Sequence, residues 1–314
     1  MTLNRQFLVL MLLASTGGIM TGCGGGTTDT GAGTDVTVKV KPSELEQSDP
    51  LAASAGSADS GASPGAAAGT NGPAAGGSGP ATFRGKITFK DDGTRAPLFA
   101  AGASIKDAAV CAAEAIPDES LVVNDGGLAN VFIYLERAPS GGEEGGEADT
   151  EVVFDNLNCV FVPHALLVQT GATIRVTNSD PVAHNTHTFP ARNDPFNSVL
   201  KVNDKEGIPF SYRRAEKVPV QVKCDLHAWM KAWHLPLDHP YGTVSGKDGS
   251  FEIANLPQGT HKFRIWHETV GYLDRGYEVK IAGEDVEVEI SYGQSDLAGF
   301  DGPRPRQVTI AASR

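Results

Sequence analysis

The chain has 314 residues, 40% of them apolar and 7% aromatic, with 26 lysines and arginines against 38 aspartates and glutamates. The formal charge of −12 becomes −13 once Arg5, the only charged residue of the first 22, is set aside, and so acidic a surface argues against a nucleic-acid partner. It suits a basic protein partner, or no more than solubility.

Residues 1–22 carry that one basic residue and then FLVLMLLASTGGIM, whose apolar run is broken after Leu13. It is short for a stable membrane span and well suited to the core of a cleaved signal. Small residues directly before a cysteine, Thr21-Gly22-Cys23, resemble the lipobox of bacterial lipoproteins, although Met20 stands where leucine is usual. The resemblance implies acylation of Cys23 and a membrane-anchored chain in the periplasm or cell envelope. An ordinary cleaved signal would also place the chain outside the cytoplasm. Residues 23–80 are mostly Gly, Ala, Ser and Thr and bury too little to offset ordering entropy, so a disordered linker is expected, with a span of roughly 40 Å. Within it only VTVKVKPSELE has any strand character.

About 230 residues remain, enough for one or two cored domains. Short runs rich in Val, Ile and Phe (RGKITFK, NVFIYLE, EVVF, ATIRVTN, KVPVQVKC, GSFEIANL, HKFRIWHE, VEVEISY) are separated by Gly, Asn, Asp and Pro. This pattern predicts an all-β chain and a Greek-key sandwich, with AGASIKDAAVCAAEA as one short helix. In KVPVQVKC, Val218, Val220, Val222 and Cys224 share a parity, which aims the thiol inward at a strand end. In ATIRVTN, Ile174 and Val176 mark the inner face before the loop SDPVAHNTHTF, which carries His184 and His187.

Of the four cysteines, Cys23 is set aside as the lipid site. A disulfide between Cys111 and Cys159 is the economical reading of the next two in a compartment that favours such bonds; buried free thiols or a further metal role are the alternatives. Cys224 is then odd, and an unpaired thiol kept there usually carries a task or a metal. Met1, Met11 and Met20 lie in the signal segment, so Met230 is the only methionine beyond it. It belongs to KCDLHAWMKAW, which places a thiolate, an imidazole and a thioether within seven residues. Two imidazoles, a thiolate and a weak axial thioether form the donor set of mononuclear blue-copper electron-transfer sites.

NSDPVAHNTHTF followed by Cys224-x2-His227-x2-Met230 resembles the cupredoxin family, in particular its amicyanin-like branch with a short ligand loop. The resemblance covers about residues 150–236, and residues 81–137 would supply the early strands. It implies one type 1 copper ion held by His184, Cys224 and His227 with Met230 axial, and Asn185 bracing the ligand loop. His227 would present the exposed edge through which electrons pass, with Trp229 and Trp233 either framing a docking patch or packing beneath the loop. Asp225-Leu226 departs from the small, proline-containing loops of that branch. His164 and His187 are weaker substitutes for His184. No His-x-His pairs with a His-Cys-His core, no second loop cysteine and no Cys-His hydrolase pattern occur, and zinc does not normally use a thioether.

DGSFEIANLPQGT resembles the carboxypeptidase regulatory-like β-sandwich, with turns at Asp248-Gly249 and Pro257-Gln258-Gly259. It would be a smaller second module over 237–292, either independent or sharing strands with RGKITFK. The ligand-bearing domain is then 81–236 and the tail 293–314. His234, His239, His261 and His267 read mostly as structural, with a secondary metal site at His239 and His267 as the alternative. The function expected is a tethered carrier of single electrons between protein redox partners, not an enzyme, with no small-molecule substrate. The alternative is a structural or interaction lipoprotein in which copper is absent or serves storage or sensing.

Overall fold

The computed structural model describes residues 36–38, 79–143, 145 and 150–297. The signal segment, Cys23, most of the linker and the tail from residue 298 lie outside the described residues. Among the described residues nearly all the regular structure is β, in four sheets. Among the described residues no helix is long and apolar enough to cross a membrane.

The first sheet runs Val36–Val38, Val286–Tyr292, Ala81–Phe89, Gly127–Leu128, Val123–Asn124, with Ser250–Leu256 also paired to Ala81–Phe89. The second runs Gly242–Val244, Phe132–Leu135, Gly259–His267, Gly271–Ile281. Alternating side chains of both, including Phe83, Ile87, Ile133, Phe263, Ile265 and Tyr277, form one core, and the Phe83 and Phe263 rings meet at 4.9 Å. RGKITFK therefore sits with the C-terminal run, not with the ligand segments: it pairs antiparallel with Ser250–Leu256 and parallel with Val286–Tyr292.

The third sheet runs Asn197–Leu200, His184–Phe189, Val220–Lys223, Lys231–Leu237, Ala165–Gln169. The fourth runs Ile208–Phe210, Thr173–Asn178, Glu151–Leu157, Val160–Val162. Between them lies a second core of Phe154, Phe161, Ile174, Val176, Leu166, Val222 and Ala232, among others.

A third core joins the two sandwiches. Phe132, Tyr134 and Trp266 of the second sheet pack against Leu235 and Leu237 of the third, and the Trp233 and Trp266 rings meet at 4.8 Å. The second and third sheets thus stand back to back, which explains why all four residues of Phe132–Leu135 are buried. One parity faces its own sandwich and the other faces the neighbour.

The predicted helix contracts to a single turn, Ala108–Cys111. Its boundary residue Asp107 takes a left-handed φ of 52° and offers no side-chain cap, so the helix has no N-terminal support. Residues 99–116 instead form a cap that leaves the first sandwich and closes one end of the second core. Cys111 and Ile116 are buried in that core, and Phe99, Ile105 and Val110 pack against it. Both predicted turns are present, but each carries the chain between sheets. Gly242–Val244 pairs with Phe132–Leu135, while Ser250–Leu256 pairs with Ala81–Phe89. At the first corner Gly249 has φ 82°, and a Cβ there would meet the Ile87 carbonyl oxygen at 2.1 Å, so only glycine fits.

Candidate metal centre

Val220 and Val222 point into the second core, and the next residue of their parity is Cys224. Val218 shares that parity yet is 43% exposed, contrary to expectation, because the strand starts only at Val220, after Pro219. Beyond Lys223 the chain makes a tight excursion and resumes at Lys231, its cross-strand partner. The Cys224 amide donates to the Met230 carbonyl (3.3 Å) and the Met230 amide to the His227 carbonyl (3.0 Å). Cys224 and Met230 therefore face each other across the neck of the loop with His227 at its bend. Met230 is fully buried in the same core as Cys224.

His184, expected in a loop, opens the strand His184–Phe189. That strand pairs with Val220–Lys223, and the Asn185 amide donates to Cys224 Sγ at 3.5 Å. The ligand loop is thus held beside His184 by ladder register. Asn185 extends this hold: its Oδ1 accepts from the Asp225 amide (2.5 Å) and the Leu226 amide (3.3 Å), and its Nδ2 donates to Asn197 Oδ1 (3.0 Å) and Asp225 Oδ2 (2.9 Å).

His184, Cys224 and His227 are all buried, and their donor atoms lie within 4.8 Å of one another. The two Nδ1 atoms are 3.0 Å apart, and His227 Nδ1 is 3.8 Å from Cys224 Sγ. Each histidine commits its other nitrogen to a carboxylate. His184 Nε2–H donates to Asp180 Oδ2 (2.8 Å) and His227 Nε2–H to Asp107 Oδ2 (2.9 Å). With Nε2 carrying the hydrogen, both Nδ1 atoms present lone pairs to each other and to a sulfur in a dry site. Such an arrangement calls for a cation, either a proton or a metal ion. Metal bonds of about 2.0–2.1 Å to nitrogen and about 2.3 Å to sulfur set neighbouring donors roughly 3.3–3.8 Å apart; the 3.8 Å sulfur–nitrogen separation falls in that range, and the 3.0 Å nitrogen–nitrogen separation is a few tenths of an ångström short of it. The residues fit a metal bound by two imidazoles and a thiolate.

Electrostatics point the same way. Burial alone would push the Cys224 thiol up, but the adjoining His184 and His227 rings and the Asn185 amide outweigh it and bring the thiol down to about 6. Burial likewise opposes a charged His184, yet Asp180 and the Cys224 sulfur hold it above the ordinary histidine value. Asp180 is itself kept below the usual carboxylate range against its own burial, by His184 and by the amides of Cys159 and Asn158. A thiolate available at neutral pH is the form that binds metal.

The remaining histidines fall elsewhere. His187 faces away from the site, bonds Asp225 Oδ2 (3.1 Å) and stacks near Phe189. His164 is bonded through Nε2 to Glu268, with Glu119 3.4 Å from its other nitrogen, an ion pair without hydrogen-bond geometry. His234 is buried against Phe154 and Tyr212, and His261 Nε2–H donates to the Pro257 carbonyl (2.7 Å). Among the described residues, neither His239 nor His267 joins a metal-capable group. Cys111 and Cys159 form a disulfide.

His227 is not an exposed edge. Its relative exposure is 0% because the cap lies over it: Asp107 takes Nε2, and Phe99 packs on Trp229, whose ring lies 5.0 Å from that of His227. Trp229 and Trp233 are both half-buried, against Phe99 and Trp266 respectively, and do not frame an open patch. Asp107 and Asp180 carry no sequence expectation. Asp180 sits four residues before His184, a spacing visible in the sequence. Asp107 reaches His227 from 120 residues away, where no local signal points.

No protein-family model matches the chain, and no curated protein matches it in sequence. Solved structures do match part of it. A purple cupredoxin from Nitrosopumilus maritimus is 21% identical, spanning 28% of this chain and 100% of that one, with a TM-score of 0.24. Amicyanin from Paracoccus versutus is 15% identical over 33% of this chain and 97% of its own, TM-score 0.25. A copper-containing nitrite reductase from Thermus scotoductus is 16% identical over 32% of this chain and 26% of its own, TM-score 0.25.

Proposed function

We propose that this chain is a mononuclear type 1 copper protein that carries single electrons between extracytoplasmic protein partners, tethered to a membrane through a lipid on Cys23. The observation behind this reading is the convergence of His184, Cys224 and His227 in one buried site, with Met230 across the loop neck. Copper bound there supplies a one-electron couple, since thiolate and thioether favour Cu(I) while imidazole suits both oxidation states.

The chain's own residues make the site rigid. Cys224 and Met230 are fixed by the hairpin ladder, His184 by the adjoining strand, and Asn185 ties the two together. A scaffold that barely moves lowers the cost of changing oxidation state, and its dryness excludes water as a further ligand. That favours a carrier over an enzyme. With His227 covered, the groups that link the imidazole to the surface are half-buried Trp229 and Asp107, whose side chain is 36% exposed.

The test is a visible spectrum of the chain with stoichiometric Cu(II), alongside Cys224→Ser. We expect an intense thiolate-to-copper band that is absent in the variant and bleaches reversibly on reduction. A folded protein that binds no Cu(II), or binds it without that band, would return Cys224 to an unassigned thiol in an interaction lipoprotein.

A further inference from the structure

Both histidines of the site are held from behind by a carboxylate, and both carboxylates are held by segments that meet at one disulfide. Asp180 receives the amides of Asn158 (2.7 Å) and Cys159 (2.8 Å) as well as His184 Nε2–H. Asp107 begins the helical turn that ends at Cys111, and Cys111 is bonded to Cys159. Trp229, next to both, donates its indole N–H to the Cys159 carbonyl (3.1 Å). Asp107, Asn158 and Cys159 all adopt left-handed backbone, with φ of 52°, 55° and 56°. Non-glycine residues avoid that region unless their surroundings over-determine it, and such positions cluster where geometry serves a site. Here they turn two adjacent amides onto one carboxylate and aim another carboxylate down onto a buried imidazole.

The consequence is tautomeric. A histidine has two ring nitrogens, and the partner of one decides which is free to bind a metal. Ionised carboxylates accept hydrogen bonds only, so each aspartate draws a hydrogen to Nε2 and leaves Nδ1 bare. Asp107 is the hydrogen-bond partner of His227 Nε2: the loop is fixed at the neck by Cys224 and Met230, Trp229 packs beside the ring, and the ring meets solvent nowhere.

We propose that Asp107 and Asp180 are positioning residues that make Nδ1 the metal-binding nitrogen of His227 and His184, and that the Cys111–Cys159 disulfide, by holding both carboxylates, sets the metal affinity and reduction potential of the site. The choice of copper rests on the function proposed above, whereas the orientation of the imidazoles does not. The cap supplying Asp107 comes from chain that belongs to the other sandwich, so the site is completed by a remote segment.

The decisive variant is Asp107→Gly, because glycine tolerates φ 52° and removes only the carboxylate; Asp107→Asn retains a neutral acceptor there. In the metal-free protein, at a pH high enough that both imidazoles are neutral, nitrogen NMR of the histidine rings should show His184 and His227 as Nε2–H tautomers, with His227 losing that preference in Asp107→Gly. Affinity for Cu(II) and for Co(II) should fall roughly 10- to 100-fold in Asp107→Gly and less in Asp107→Asn. The potential of the copper form should rise, since an anion that favours the more highly charged ion is gone, while the thiolate band persists. Cys111→Ser/Cys159→Ser should lose more affinity than Asp107→Gly if it folds, because both carboxylates are released; if it does not fold, Asp107→Gly still decides. Unchanged tautomers, together with affinity for either ion within about threefold of wild type, would overturn the proposal. Absence of a copper band in the wild type would sink only the function above, because the tautomers and the Co(II) affinity still test the positioning.

Discussion

His164 sits between two carboxylates, bonded to Glu268 and paired with Glu119. Burial works against its charge, but the two partners prevail and hold it protonated up to about 9. A histidine held above its unfolded value stabilises the fold fully below about pH 6.5 and loses that contribution as pH rises through about 9. The contribution is of order 3 kcal/mol, counted once for the cluster. His234 and His267 act in the opposite sense. Burial pushes them down to about 3 and about 4, so their contribution is present above about pH 6.5 and lost as pH falls. Cys224, held down to about 6, gains stability over the same alkaline window, so the His164 effect is read in a Cys224→Ser background. There denaturant midpoints should peak near neutrality, and adding His164→Gln should flatten the decline between about pH 6.5 and about 9 while leaving the acid limb intact. An alkaline limb that His164→Gln leaves unchanged in that background would rule His164 out as its source. Residues of this kind are hard to read from sequence. FVPHALLV shows a histidine before a strand, but Glu119 and Glu268 reach it from distant segments. Cys224, His227 and Met230, by contrast, were legible because a short loop forces close spacing, and His184 because the pair His184-Asn185 follows a strand end.

Among the elements, several strands with one polar face were legible, as in Ser250–Leu256, whose burial alternates at its start, although the long strand Gly271–Ile281 was missed. The strand Lys231–Leu237 was not, because it is buried on both sides and carries Pro236. It reads as a continuation of the ligand loop, yet it anchors Met230 and joins the third sheet to the second. The corner at Gly249 is the sharpest local requirement. Gly249→Ala places a methyl group 2.1 Å from the Ile87 carbonyl in a backbone region L-residues avoid, and should cost more than about 2 kcal/mol. Urea midpoints should fall accordingly, with little change in metal affinity, since this corner belongs to the first sandwich. A loss below about 0.5 kcal/mol would show that the corner relaxes freely. In the ligand loop, Trp229→Leu should leave the copper spectrum in place and slow electron exchange with an external partner at least several-fold. Equal rates would remove Trp229 from the route.

At the scale of the molecule, two sandwiches share an apolar seam between their inner sheets. Full burial of each aromatic or leucine there contributes about 1.5–3 kcal/mol, so the seam couples the unfolding of both bodies. Phe132→Ala should cost about 3–5 kcal/mol and separate one unfolding transition into two, read by the intrinsic fluorescence and by the copper band. Coincident transitions at all denaturant concentrations would mean that the seam is not what couples them. The all-β class was legible from strand pattern; that RGKITFK shares strands with the C-terminal run was one of two readings the sequence left open, because a strand does not encode its neighbour and two of its partners, Ser250–Leu256 and Val286–Tyr292, lie more than 150 residues away.

Phe132–Leu135 and Gly242–Val244 are hydrogen-bonded neighbours, so everything from 136 to 241 leaves and returns at one place. Closing so long a stretch is entropically unfavourable until the intervening chain has compacted. The order of events in time follows. The sandwich that carries His184, Cys224 and His227 is expected to form as an excursion, the outer sheets to zip around its two stems, and the cap only then to descend and bring Cys111 to Cys159. Thiol trapping during oxidative refolding should find that bond appearing with the slowest regain of near-ultraviolet signal and not before it. The bond would then serve as a maturation stamp, present in chains whose two halves have already found each other.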